Sequence, residues 1–326
     1  MRIKELLISM AAASMLVFGA GCGDDGTVDE DEDAGDNTLE PPLTEIPPEA
    51  QNCSIIGNDG PAASCEAGGE ENFRFRLNRI DIPSTSNLVG FNLDCFDTTA
   101  QNRYGCRKAD GPGGIDNALA SLTNTLKVAA SIDLNESIGD GVADGSIALT
   151  LVVSGYEGEG SDDCVTVNLV DEDNVALITE PVTGIIREEG GKLLLIVALD
   201  VLPLSIPFQD ESLDLQISNT RLEFPIAADG SGFEDGVLGG SVVWDDGQGG
   251  GLAGIVKGLL ESLDSVNLTF EEAAPLIRSM LDLHVSSVNE DPNSCSAISL
   301  GLAIDGEAVD APPGDGDGDG DDDGTP

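Results

Sequence analysis

Histidine, tryptophan and tyrosine are nearly missing from this chain: one His, one Trp and two Tyr in 326 residues. A lone histidine, His284, cannot build a zinc site by itself. With Trp244 and two tyrosines, a sugar-stacking cleft has almost nothing to stack with. No serine stands in a G-x-S-x-G turn, which removes the nucleophile elbow. No C-x-x-C pair occurs, which removes a zinc ribbon and a thioredoxin-like site. The Gly-rich loops at 139–145 and 245–251 carry no Lys at Walker spacing. Bases are scarce as well: 14 Lys and Arg stand against 61 Asp and Glu, a net charge of −47. Nucleic-acid binding needs Lys and Arg to neutralise phosphates, so nucleic acid is excluded as a partner. Docking on anionic lipid heads is excluded for the same reason. Self-repulsion at this level destabilises a compact state unless salt or a cation screens it.

The features that are present begin with an address. Arg2 and Lys4 precede an apolar stretch from Leu6 to Phe18, followed by Gly19, Ala20, Gly21 and Cys22. That is a secretory signal layout, and the apolar run is short for a membrane span. The cysteine after small residues resembles the bacterial lipobox, with Gly19 where Leu is usual. The resemblance implies cleavage before Cys22 and lipidation of its thiol. Each buried CH₂ of the lipid would add about 0.8 kcal/mol of membrane affinity. An ordinary signal peptide cut near Ala20 is the alternative. Residues 23–50 are acidic, contain no base and end in Pro41, Pro42, Pro47 and Pro48. Such a segment cannot offset its ordering entropy by burial and reads as a tether. Gly23, rather than Asp, comes after the cysteine, which points to the outer membrane and leaves its periplasmic or surface face open.

Seven cysteines minus Cys22 leave Cys53, Cys65, Cys95, Cys106, Cys164 and Cys295. An even number in an exported chain suggests three disulfides. Short loops favour 53–65 and 95–106, leaving 164–295.

The expected organisation is a signal peptide over 1–21, a lipidated acidic tether over 22–50, one β-rich domain over 51–304 and an acidic tail over 305–326. A sub-boundary would fall near 155–163. Alternation and β-branched residues predict strands at 73–82, 146–155, 164–170, 192–201, 213–218, 220–226, 236–244 and 295–304. KLLLIVALDV (192–201) is apolar on both faces and reads as a central strand. Pro203 and Pro207 confine the next segment to an edge or a loop. Apolar spacing of 3–4 predicts helices at 115–132, 252–263 and 269–283. The last opens on Thr269 and Glu272, a capping box, with Pro275 near its first turns. The fold class is therefore mainly β with a few helices: a β-sandwich or a curved antiparallel sheet with two or three amphipathic helices packed on it.

One stretch stands out for chemistry: GFNLDCFDTTAQNRYGCRKADGPGGIDNAL (90–119). It combines Leu93-Asp94, Cys95, Cys106, Asp110-Gly111, Gly113-Gly114 and Ile115-Asp116-Asn117. With the ending C-x-A-I-S-x-G (Cys295 to Gly301), it resembles exported bacterial lipoproteins of the myxobacterial type. It departs from them at Asn92, where an acid is expected, and at Pro112 within the turn. The resemblance implies an exported lipoprotein and no particular activity. Physically, Asn92, Asp94, Asp110, Asp116 and Asn117 are hard oxygen donors of the kind Ca²⁺ takes, six to eight at a time. Helix capping by Asp116 and Asn117, with glycines making the turn, explains the same residues without an ion. The tail GDGDGDGDDDG (314–324) mimics half an EF-hand but lacks the Glu and the flanking helices, and reads as a solvated tail.

The expectation is a non-catalytic, lipid-anchored envelope or surface protein of structural, adhesive or binding type, stabilised by Ca²⁺ if the oxygen donors converge. Its partners are the membrane, through Cys22, and a protein or apolar small molecule. The alternatives are a periplasmic binding protein for an apolar ligand or lipid, and a metal-assisted hydrolase.

Overall fold

Phe73, Phe75 and Leu77 alternate with Arg74 and Arg76, and this alternation sets the first strand, β1 (Glu71–Asp81). In the computed structural model the chain is described over residues 69–311, apart from 96, 99–105, 107, 131, 209–210, 246–250, 263–268 and 284–294. The expected signal peptide (1–21) and tether (22–50), with Cys22, Cys53, Cys65, His284 and the Asp-Gly tail, lie outside the described residues.

Among the described residues seven more strands complete the sheet: β2 (Thr150–Ser154), β3 (Asp162–Val170), β4 (Val182–Glu189), β5 (Lys192–Phe208), β6 (Glu211–Ile226), β7 (Gly232–Val243) and β8 (Ala297–Ala308). Each pairs antiparallel with the next, and β8 pairs antiparallel with β1, which closes the sheet into a barrel. Of the two expected architectures, the curved antiparallel sheet is the one that forms, and it curls until its edges meet. An eight-stranded barrel has an interior just wide enough for side chains to fill. Here Phe75, Phe224 and Phe233 fill it, with Phe224 and Phe233 stacked at 3.8 Å and Phe75 edge-on to both at 5.9 and 5.7 Å. Leu151, Val167, Leu195 and Leu222 complete this core, all fully buried. Burying each such side chain contributes about 1.5–3 kcal/mol.

Four helices among the described residues join strands at one end. Helices α1 (Ala118–Ala130) and α2 (Leu134–Asp144) lie between β1 and β2, while α3 (Gly251–Ser262) and α4 (Phe270–Arg278) lie between β7 and β8. Antiparallel order puts both connections, and the β5–β6 turn, at the same end of the barrel. There α1 packs on β8, α2 on β1 and β5, and α3 on β6 and β7. The capping box at Thr269 and Glu272 forms, and Pro275 sits inside α4.

The prolines behave as an edge demands. β4 pairs with β5 only as far as Gly184 and Val197. Beyond that point β5 keeps β6 on one side alone, with Pro203 opposite Gln216 and Pro207 opposite Ser212. A residue without an N–H is tolerated there because no strand waits for it on the other side. The strand does not stop at 201; it runs to Phe208. The predicted strands 213–218 and 220–226 are one strand, with Asn219 at φ 50° taking up an irregularity between them.

Two elements differ from the sequence expectation. β4 escapes it because VTGIIREE shows no clean alternation: Ile185 and Ile186 are both fully buried. Helix α2 escapes it because it holds Gly139 and Gly141, poor helix formers. Tertiary packing overrides the propensity: a Cβ on Gly141 would lie 2.8 Å from the Pro207 side chain and 2.9 Å from Ile147. The stretch 155–163 is the β2–β3 connection and the start of β3.

Candidate functional site

The outer face of β7 and β8 is built to be covered. Gly239 and Gly301 point outward there, opposite each other in register. A Cβ on Gly239 would lie 2.5 Å from the Phe91 ring, and one on Gly301 would lie 2.1 Å from the Val89 carbonyl oxygen. These absent side chains let the segment after β1 lie flat on the barrel. Phe91 is then covered by the Arg221 guanidinium, 4.7 Å from the ring centre. The Asp116 amide donates to the Phe91 carbonyl at 3.0 Å and the Gly111 amide to the Ile115 carbonyl at 2.8 Å, which sets the turn 111–116 beside Phe91. Gly113 and Gly114 make the turn at φ 77° and 78°, a region that favours glycine.

Helix α1 starts from this segment. The Asn117 side-chain oxygen accepts from the Ala120 amide at 3.2 Å, an N-cap bond. Its amide nitrogen donates to the carbonyls of Val89 and Gly301, both at 2.8 Å. The Ala118 amide donates to Ser299 Oγ at 2.8 Å. Ser299 Oγ in turn donates to the buried Asp282 carboxylate, whose other oxygen accepts from the Ser299 amide at 2.7 Å. The two sequence motifs, DG-x-GG-I-DN and C-x-A-I-S-x-G, therefore dock on each other. Cys106 and Cys295 are disulfide-bonded across the same junction, 189 residues apart in sequence.

Three carboxylates converge at the junction. One oxygen each from Asp94, Asp110 and Asp116 lies within 4.8 Å of the other two. Asp116 is 2% exposed, and its Oδ2 accepts from the amides of Leu93 at 2.6 Å and Asp94 at 3.2 Å. Asp110 Oδ2 accepts from the Thr98 amide at 2.5 Å. Burial raises the Asp116 carboxyl to about 9, helped by the charges of Asp94, Asp110 and Asp282. Burial also raises Asp110 to about 6, against the hydrogen bonds from Thr98 and Asp116. Asp282 rises to about 6 by burial, against the hydrogen bonds from Ser299.

These shifts set the sign of a pH dependence. A carboxyl raised in the folded state holds its proton where the unfolded chain has lost it, so the folded state binds more protons above the ordinary carboxyl range. In a chelator, stability is expected to fall from about pH 4 through pH 6, as Asp110 and Asp282 ionise, and to keep falling towards pH 9 as Asp116 does. Denaturant midpoints measured across the same range in EDTA check this. A curve that rises over that range would contradict it.

The structure thus gathers three of the five expected oxygen donors. Asn117 is not among them: both ends of its amide are spent on capping and on the strand. Asn92 lies on the same loop, two residues before Asp94, with its Oδ1 buried. The expected cysteine pairs 95–106 and 164–295 do not form, because Cys106 takes Cys295. Short sequence loops do not decide the matter; docking of the 90–117 segment on β8 brings these two together. Cys95 and Cys164 are disulfide-bonded as well. The expected pair 53–65 lies outside the described residues. Asp282, Ser299, Gly239 and Gly301 belong to the junction although sequence reasoning does not reach them. Ser299 and Gly301 stand in the S-x-G of the closing-strand motif, whereas Asp282 and Gly239 carry no sequence signal.

Asp94, Asp110 and Asp116 fit a hard divalent cation. Ca²⁺ takes carboxylate and carbonyl oxygens, and the three charges that act on Asp116 are all negative. The fold and the junction define an all-antiparallel, eight-stranded barrel with a helical end and an acidic clamp on its outer face. Comparison with protein-family models, with curated proteins and with solved structures finds no match to this chain.

Proposed function

We propose that the chain is a non-catalytic, lipid-anchored envelope protein of structural or adhesive type, held at the outer membrane through Cys22. Its barrel carries a Ca²⁺-clamped junction. The clamp rests on the convergence of Asp94, Asp110 and Asp116 beside β8, and the anchor rests on the apolar run Leu6–Phe18 followed by Cys22. Three carboxylates in one half-buried place repel one another, and a divalent cation removes that repulsion while joining the two arms of the loop. The interior supports the same reading over carriage of an apolar ligand, since Phe75, Phe224 and Phe233 occupy the lumen.

The test is unfolding of the mature chain at fixed pH and ionic strength, with Ca²⁺ and then with EDTA. An ion that binds only the folded state adds about 2.7 kcal/mol at a hundredfold excess over Kd. The gain should vanish in Asp94→Ala. No gain from Ca²⁺ would remove the ion and leave the junction to protons and capping alone. Anchoring is tested separately, by the intact mass of the membrane-extracted protein and by its release from membranes in Cys22→Ser.

A further inference from the structure

We infer that the groove between β1 and α2 binds a small zwitterion of amino-acid type with a short apolar side chain. The groove measures about 370 Å³, with Arg76, Arg79, Asp81 and Glu307 on its strand side and Val142 and Ala143 on its helix side. That volume falls in the range of small-ligand sites. Gly139, Val142 and Ala143 share one helix face, and a Cβ on Gly139 would meet nothing within 4 Å. Small residues on that face keep the helix from filling the groove.

The charge pattern selects the ligand. Along the outer face of β1, Arg74 is held by Glu71 at 2.9 Å and by Asn174 at 2.9 Å. Arg79 is held by Asp81 and Asp305, each at 2.6 Å. Arg76, between them, is half-buried and makes no ion pair or side-chain hydrogen bond among the described residues. Glu307 faces it in register from β8. Arg76 Nη2 and Glu172 Oε2 both lie near Gly145, each 3.6 Å from where its Cβ would be, and the two form no ion pair.

In a chain of net charge −47, a partly desolvated guanidinium with no partner among the described residues is a fork open to a carboxylate. A simple anion must first overcome the field of the whole molecule. A zwitterion meets no net repulsion, and its ammonium finds Glu307 beside the guanidinium. Its side chain then rests on Val142 and Ala143.

The test is calorimetric titration of the mature chain with L-leucine, N-acetyl-leucine, leucinamide and the dipeptide Leu-Leu. Saturable binding of leucine is expected, at least tenfold weaker in Arg76→Gln and in Arg76→Lys, which keeps the charge but not the fork. N-acetyl-leucine and leucinamide should each bind at least tenfold more weakly than leucine. Leu-Leu binding as tightly as leucine identifies a peptide as the source of the zwitterion, and weaker binding identifies a free amino acid. Unfolding midpoints of the Arg76 variants should match the parent, because Arg76 holds no other side chain among the described residues. No saturable leucine binding, unchanged binding in Arg76→Gln, or N-acetyl-leucine binding as tightly as leucine would overturn the assignment.

Discussion

Gly301→Ala is expected to destabilise the protein by about 3 kcal/mol, at the upper end of overpacking costs. The added methyl would stand 2.1 Å from the Val89 carbonyl oxygen, 2.7 Å from the Gly90 Cα and 2.9 Å from the Asn117 amide nitrogen. Two of these are backbone atoms, so no side chain can swing aside. The strand cannot yield either, since Gly301 pairs with Gly239 in the closed barrel. The 90–117 segment must lift, and Asn117 then loses both of its carbonyl partners. Gly258→Ala makes the control: it lies in α3 with open space around it, and exchanging Gly for Ala inside a helix gains about 1 kcal/mol. Urea unfolding of the two variants should therefore shift in opposite directions. A Gly301→Ala midpoint close to that of the parent would mean that the segment does not lie on β8.

The second large effect belongs to the Cys106–Cys295 bond. Its residues are 189 apart in sequence, so the bond removes much of the freedom of the unfolded chain. A cross-link over so long a loop contributes about 4 kcal/mol. The double variant Cys106→Ala, Cys295→Ala should lose about that much, measured in oxidising buffer with the remaining cysteines left in place. Its Ca²⁺ response should weaken as well, because the bond holds the strand side of the junction to the arm that carries Asp110. A loss under about 1 kcal/mol would show that the hydrogen bonds of Asn117 and Ser299 hold the junction unaided.

Much of this fold was legible. Alternation in FRFRLNRIDI set β1, and the apolar run of KLLLIVALDV set the buried part of β5. Pro203 and Pro207 announced an edge, although the strand continues through them. Thr269 and Glu272 announced the start of α4. The stretch 90–119 announced oxygen donors and a helix start together, and both are present: Asn117 caps while Asp94, Asp110 and Asp116 converge. The misses share a cause. VTGIIREE, with Ile185 and Ile186 both buried, carries no period to read. The glycines of α2 argue locally for a loop, and only Pro207 and Ile147 make Gly141 suit a helix.

The sequence by itself determined most of the stretches that become strands, with β4 the exception, where two helices begin, and that hard oxygens gather in one stretch of an acidic chain. Those features are local, because propensity, alternation and capping act over a few residues at a time. Only the tertiary structure decided that β8 closes on β1, that Cys106 meets Cys295, and that Asn117 turns from the carboxylates to Gly301. It also decided that Arg76 stands between two paired arginines with no partner of its own among the described residues. Each of these joins residues whose separation along the chain says nothing about their distance in space; barrel closure and the close approach allowed by Gly239 and Gly301 fix that distance.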